Sequence, residues 1–331
     1  MGNKPLIFLF LILLAGQSIA QTTFDPLAIA VGARALGMGK AYVAAAEDGE
    51  AVFTNPAGLG EIDSFKFTSM SGRVLEDVNY TALGGVYPMG AKSALGFGYA
   101  AANVPGIDIR DSSGTFLSRA NYSNSVFAAS YGRKLTQKLS LGMNLKYFCQ
   151  DGTETNEGDG TGINLDIGFL QKELGPLSLG VVCQNILSAG KIRYKNGEEE
   201  TLPAIVKVGA RLYLLGEGFG SAIFSPLELF LAADADLSLQ ESKLTTLHLG
   251  GELSPIPYLT LRAGMDQDPA PTGIQSNFTA GLSIRYAGIG FHYAYHPYTE
   301  FAENAAHYFS ISFDERGWPP EELPDVFFGA K

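Results

Sequence analysis

A glycine and lysine run near the N-terminus is the first place where residue types suggest chemistry. Gly37-Met38-Gly39-Lys40 resembles part of a phosphate-binding loop, in which glycines let the backbone approach phosphate and a lysine balances its charge. Such a loop continues with Ser or Thr, whose hydroxyl holds magnesium, and Ala41 stands there instead. The sequence therefore predicts no nucleotide site and no bound cofactor.

The four histidines and two cysteines show no metal-binding spacing. Two of the histidines would share one face of a strand, but positions i and i+4 of a strand lie ~13 Å apart, too far for one ion. The two cysteines are far apart in sequence, and small apolar fillers are their simplest interpretation. We expect no metal site from these residues, which are His248, His292, His296, His307, Cys149 and Cys183.

A hydrolase embedded in a membrane wall is the one enzymatic alternative. It would need a serine near a histidine, and Ser310 and Ser312 are expected to point inward beside His307. The chain has no Gly-x-Ser-x-Gly elbow, and a triad is recognised by geometry that a sequence does not supply. The sequence therefore predicts no catalytic residue and a protein that is not an enzyme.

Composition favours strands and excludes nucleic acid as a partner. The 331 residues include 40 Gly, 21 Phe and 15 Tyr, with only 17% charged residues, a mixture that suits pleated strands better than helices. The formal net charge is −11, whereas phosphate binding needs a basic face.

The first twenty residues have the organisation of a secretory signal peptide. Lys4 precedes an apolar run, Leu6 to Ala15, and Ser18-Ile19-Ala20 supplies the small residues of a cleavage site. We expect cleavage after Ala20, so residues 1–20 are predicted to be removed. No later apolar stretch approaches the ~20 residues of a spanning helix, but an exported chain can still cross a membrane as a closed barrel.

Apolar and polar residues alternate in short runs from Phe65 onward. In Leu139 to Phe148 the odd positions are mostly apolar and the even positions mostly small or polar, as in a strand with two different faces. Short and long connections also alternate along the chain, with one exception at Leu214 to Pro226, as outer-membrane barrels require. About fourteen runs are predicted, at 65–71, 78–87, 94–101, 125–132, 139–148, 161–170, 177–184, 204–213, 227–238, 245–253, 258–265, 277–286, 288–296 and 307–314.

The two faces of these strands indicate which one meets lipid. The apolar faces end in aromatic rings such as Tyr147, Phe169 and Tyr286, as the interfacial girdles of a barrel do. The polar faces carry five cations and five anions, and such balance favours a filled lumen because an unpaired buried charge is costly. The predicted lumen charges are Lys146, Lys207, Arg211, Arg262, Arg285, Asp166, Glu228, Asp234, Asp236 and Glu252.

The segment before the first strand does not alternate. Asp25 to Ile62 is compact and rich in Ala and Gly, and small side chains permit close backbone approach inside a narrow wall. We therefore predict an all-β fold: a transmembrane antiparallel up-and-down barrel of about fourteen strands, with a small helical or irregular N-terminal hatch in its lumen. Residues 21–62 would be the hatch, 63–314 the barrel in the bacterial outer membrane, and 315–331 a periplasmic tail.

The hatch segment resembles a known group of proteins. The run from Gly32 to Ala44, then Asp48, then Asn55-Pro56-Ala57-Gly58-Leu59, looks like the opening of PorV/PorQ-type outer-membrane proteins. That group is similar to the FadL-type long-chain fatty-acid transporters, and the motif-level match covers about forty residues. Lys40 departs from the pattern, because many relatives place Gly there.

The resemblance implies roles for hatch residues and two possible functions. One is the passage or binding of hydrophobic small molecules, and the other is a non-enzymatic scaffold or shuttle for proteins of a type IX-like secretion system. Outer-membrane lipid would surround the wall in both. By resemblance, the hatch element is Asn55, Pro56 and Ala57, the hatch charges are Arg34 and Asp48, and the close-packing positions are Gly37 and Gly39.

Overall fold

The computed structural model describes residues 25–74, 78–152, 158–216, 226–239, 244–270, 273–297 and 305–317. The predicted signal peptide at 1–20 and positions 318–331 of the predicted tail lie outside the described residues.

Among the described residues, sixteen strands form one antiparallel sheet, and fourteen of them make a closed barrel. Closure occurs where the first strand pairs with the last, with Lys66 opposite Asp314 and Gly72 opposite Tyr308. The predicted fourteen-stranded barrel is thereby confirmed. Two additional strands, β8 (Lys191–Tyr194) and β9 (Glu199–Thr201), form a small hairpin that extends from β6 (Gly160–Leu174). The strands are β1 Lys66–Val74, β2 Val78–Pro88, β3 Ser93–Arg110, β4 Phe116–Lys134, β5 Leu139–Gly152, β6 Gly160–Leu174, β7 Leu177–Gln184, β8 Lys191–Tyr194, β9 Glu199–Thr201, β10 Ile205–Leu215, β11 Glu228–Ser238, β12 Thr246–Ile256, β13 Leu259–Ala270, β14 Gly273–Tyr286, β15 Ile289–Pro297 and β16 Ala305–Asp314.

The wall presents its apolar face outward. On β5, Leu145 is 50% exposed while its neighbour Lys146 is fully buried. Phe278 and Phe309 are also exposed on the outer surface. An exposed band of large apolar side chains around a closed barrel belongs in a bilayer, because closure pairs each wall strand on both sides and leaves no open sheet edge in the hydrocarbon. This architecture places the chain in the bacterial outer membrane. Among the described residues, no helix is long and apolar enough to cross a membrane.

Two strand pairs extend further than the sequence predicts. The connection expected over 102–124 is largely β-structure, since β3 and β4 continue as a long hairpin with a register shift between Val104 and Ile107. The loop expected over 266–276 is likewise mostly strand, at the ends of β13 and β14. These extensions carry polar residues on both faces because they lie near or beyond the end of the apolar wall, so alternation does not mark them. The long connection predicted at 214–226 falls partly outside the described residues.

The segment 25–62 lies inside the barrel. It contains a 3-10 turn at Pro26–Ile29, helix α1 at Ala33–Gly37, helix α2 at Ala51–Thr54 and a second 3-10 turn at Pro56–Glu61. Helix α1 contacts β13 to β16, whereas the second 3-10 turn contacts β3 to β6, so the segment crosses the lumen from one side to the other. We call residues 25–62 the hatch from here on.

Candidate functional site

A belt of glycines on the inner wall seats the hatch. At each of these positions the place where a Cβ would stand is already within about 3 Å of a hatch atom, so the hatch backbone lies directly on the strands. Several are cross-strand neighbours: Gly132 faces Gly142, which faces Gly168, and Gly250 faces Gly264. The glycine belt comprises Gly84, Gly96, Gly98, Gly132, Gly142, Gly168, Gly180, Gly209, Gly250, Gly264 and Gly281.

The Asn55-Pro56-Ala57 element forms one anchor of the hatch. The Asn55 side chain accepts a hydrogen bond from the Ala57 N–H at 3.1 Å and so caps the second 3-10 turn, in which Pro56 occupies a first position that needs no N–H. The same amide donates to the carbonyl of Val43 at 2.9 Å and to that of Phe169 in β6 at 3.2 Å. One side chain thus joins two parts of the hatch to the wall.

Gly37 and Gly39 form the anchor on the opposite wall. A Cβ on Gly37 would stand 3.0 Å from the Cα of Gly281, and one on Gly39 would stand 2.6 Å from the backbone of Met265. Gly39 also has a φ of +60°, which side chains rarely adopt. Both positions therefore require glycine for close approach of two backbones.

Charged side chains lock the hatch to the wall beside α1. Arg34 donates to both carboxylate oxygens of Glu252 at 2.8 and 2.9 Å, and to Asp48 at 3.0 Å. Glu252 also accepts from Arg262 at 2.6 Å, and Asp48 accepts from the Tyr42 hydroxyl at 2.5 Å. A bidentate Arg and carboxylate pair fixes direction as well as distance, so this cluster holds the rotation of the hatch in the barrel.

Glu50 lies in the hatch without a cation in ion-pair contact among the described residues. It is buried, and its Oε2 has no hydrogen-bond partner. Burial and the nearby negative charge of Asp48 raise the pKa of Glu50 well above its usual range. The protonated form is therefore favoured in the folded state, and the stability it supplies is lost as the pH rises through this raised pKa.

Most of the predicted lumen charges are buried, and several pair with the hatch. Lys146 lies 2.8 Å from Asp166, and Lys207 lies 2.6 Å from Asp236. Arg211 donates to Glu47 of the hatch at 2.8 Å. Asp234 accepts the N–H groups of Tyr42 and Val43 at 2.6 and 2.8 Å, and Arg285 donates to Thr260 at 3.1 Å. Glu228 differs from the prediction: it is exposed at the first residue of β11, outside the buried network, because the strand begins at the rim of the barrel.

A second cluster, which the sequence analysis did not single out, surrounds Asp266 on β13. This fully buried carboxylate lies 2.7 Å from Lys40, 2.8 Å from His248 and 2.7 Å from His296. Lys40 also lies 3.0 Å from Asp268. Asp266, Asp268 and His296 offer ligand atoms within 4.8 Å of one another, and the Lys40 ammonium pairs with both carboxylates there. Lys40 of the hatch thus has two acidic partners on β13.

A cavity of about 460 Å³ lies between the hatch and strands β10 to β13. It lies toward the strand ends that carry the longer connections, where β10 begins and β11 ends. Its lining mixes apolar side chains with charged and hydrogen-bonding ones, so it can both bury apolar surface and orient a polar group. Its apolar lining includes Leu27, Val31, Phe53, Ile205 and Leu244, and its polar lining includes Asp25, Lys40, Lys207, Asp236, His248 and Asp268.

The serine and histidine geometry suggested for a hydrolase does not form. Ser310 is buried in the lumen, but His307 lies on the outer wall, where its Nδ1 is 2.8 Å from the Tyr293 hydroxyl. The expectation that both serines lie beside His307 is wrong, because odd- and even-numbered residues of one strand point to opposite faces of the sheet. Ser312 instead lies 2.7 Å from His292.

Comparison with known proteins gives a fold and not a family. No family model and no curated protein matches the sequence. Among solved structures, the CymD monoaromatic hydrocarbon channel is 13% identical with a TM-score of 0.59, over 88% of this chain and 98% of that one. The toluene transporter TbuX of Ralstonia pickettii is 14% identical with a TM-score of 0.55, over 86% and 98%. A FadL homologue of Pseudomonas aeruginosa is 12% identical with a TM-score of 0.51, over 84% and 97%. The chain therefore has a FadL-like barrel fold.

Proposed function

We propose that this barrel passes hydrophobic small molecules across the outer membrane, in a transport role and not an enzymatic one. The observation that carries the proposal is the cavity beside the hatch, which offers apolar side chains in a lumen that the hatch otherwise fills. The names of the similar structures, a hydrocarbon channel and a toluene transporter, agree with this class of cargo. A molecule would enter from the end with the long connections and leave, after local rearrangement of the hatch, toward the periplasm or sideways into lipid.

The hatch sequence supports a narrower assignment within the same fold. We infer a PorV/PorQ-type protein from the run Gly32 to Ala44 and from Asn55-Pro56-Ala57. That assignment keeps a second role open, in which loops or the tail present a surface to secretion-system proteins and no small molecule moves. No contact among the described residues favours this role over transport.

Entry of a hydrophobic dye into cells tests the transport role. N-phenyl-1-naphthylamine fluoresces when it reaches membrane lipid, and its entry is slow across an intact outer membrane. Production of this barrel in a Gram-negative host without FadL-type channels is expected to speed dye entry several-fold. Ile205→Trp, which inserts a large ring into the cavity, is expected to return entry to the rate of empty cells.

Leu212→Trp is the matched control, because Leu212 is on the same strand but 38% exposed on the outer wall. It is expected to leave dye entry unchanged. If the unaltered barrel gives no faster entry than empty cells, while folded and abundant in the outer membrane, the transport role is wrong and the scaffold role is favoured.

A further inference from the structure

The charges around the cavity are unevenly paired. Among the described residues, four acids line it or lie directly beneath it: Asp25, Asp236, Asp266 and Asp268. Four groups there can be positive: Lys40, Lys207, His248 and His296. Their ion pairs all go to Asp236, Asp266 and Asp268, so the side of the cavity at Asp25 attracts a cation and repels an anion.

Among the described residues, Asp25 is the acid at the cavity that has no cation partner. Each of the other three acids has a cation within 3.0 Å, whereas no cation lies within ion-pair distance of Asp25 in the part of the chain that the structure describes. The Asp25 carboxylate accepts the Leu27 N–H at 2.8 Å and the Asn185 side-chain amide at 3.4 Å. Neither contact neutralises it, and the residue is only partly buried, so its charge remains available to a ligand.

Apolar groups share the cavity with this carboxylate. Leu27, two residues after Asp25, lines it together with Phe53 and Ile205. A hydrocarbon or aryl group has surface to bury there, and an aromatic ring can also stack against Phe53. The site therefore combines apolar surface with one carboxylate that no described cation pairs.

We propose that the cavity prefers hydrophobic ligands that carry an ammonium group, with Asp25 as the counter-charge, over hydrophobic carboxylates. This preference rests on the proposed function, because it concerns the cargo of the same cavity. The affinity for neutral hydrophobic molecules with a hydroxyl group should lie between those for the ammonium and the carboxylate ligands, because a neutral group is neither attracted nor repelled by the Asp25 charge.

Three probes with one carbon skeleton test the preference. Binding of 4-phenylbutylamine, 4-phenylbutan-1-ol and 4-phenylbutanoate is measured at pH 7 by calorimetry on the whole barrel in phosphatidylcholine nanodiscs, with empty nanodiscs as the blank. The amine is expected to bind about tenfold more tightly than the carboxylate, with the alcohol between them. In Asp25→Asn, the amine is expected to weaken about fivefold to the level of the alcohol, whose own affinity stays unchanged.

Asp25→Asn is a conservative change because asparagine can still accept the Leu27 N–H and cap the first 3-10 turn. Asp111→Asn is the control, since Asp111 caps an exposed hairpin turn through Ser113 and Thr115 in the same way. It is expected to leave all three affinities unchanged. Equal affinities for amine and carboxylate, or an Asp25→Asn protein that still prefers the amine, would overturn the preference while leaving transport in place. Failure of all three probes to bind would overturn both.

Discussion

Replacement of Gly142 by valine is expected to unseat the hatch and convert a closed barrel into an ion-conducting one. A Cβ at this position would stand 2.1 Å from the carbonyl carbon of Pro56, and both partners are backbone, so neither can rotate away. The overlap should weaken hatch docking by at least ~3 kcal/mol, the upper part of the range for overpacked sites. In a planar bilayer, the unaltered barrel should show almost no ion current and Gly142→Val should show frequent or permanent open states.

Gly85→Val on β2 is the matched control. Gly85 has the same residue type in the same sheet, but no atom lies within 4 Å of the place where its Cβ would stand. This variant is expected to behave like the unaltered barrel. If Gly142→Val inserts as a folded barrel and conducts no better than Gly85→Val, the hatch is not held by backbone contact with the glycine belt.

Removal of the Glu252 carboxylate is expected to destabilise the folded barrel by ~3–5 kcal/mol. Glu252 bridges Arg34 of the hatch and Arg262 of β13, which are 18% and 0% exposed. In Glu252→Ala the Arg262 side chain loses the carboxylate and keeps the Ser283 hydroxyl as a hydrogen-bond partner, while its charge stays buried. The free energy of unfolding in urea, measured in lipid vesicles, reports this loss.

An exposed acid with two basic partners provides the comparison. Glu199 on the β8–β9 hairpin lies 2.8 Å from Lys191 and 3.1 Å from Arg193, but all three side chains are at least 40% exposed. Glu199→Ala should therefore lower the free energy of unfolding far less than Glu252→Ala does, because water and salt screen such pairs. Similar losses in both variants would show that Glu252 does not hold the hatch by a buried charge pair.

The wall of the barrel is predictable from this sequence, because each strand must alternate between lipid and lumen. That single requirement fixes the face of Leu145 and of Lys146 and places most strand boundaries within a few residues. The prediction fails where the requirement ends. Asp108 and Arg110 lie on the β3–β4 hairpin, which has the polar composition of a loop although its backbone pairs are those of a sheet.

The site is less predictable, because it depends on how the strands are staggered. Asp266 alternates in phase with Arg262 on β13, and this phase marks it as a lumen residue once the strand is known to continue past 265. That Lys40 is its partner, 226 positions away in sequence, follows only from the position of the hatch in the barrel. Alternation likewise places Gly132, Gly142 and Gly168 on the lumen face of their strands. Only the cross-strand register shows that they are neighbours in a belt.

The location of a heavy-atom hydrophobic probe is the most direct test of the central claim, which is that the cavity beside the hatch receives the cargo. Crystals of the barrel purified from outer membranes and soaked in 4-bromotoluene would reveal the bromine by its anomalous scattering. We expect an anomalous-difference peak for bromine in the cavity, between Phe53 of the hatch and Ile205 of β10. Peaks confined to the outer wall, with the cavity empty and the hatch in place, would contradict it.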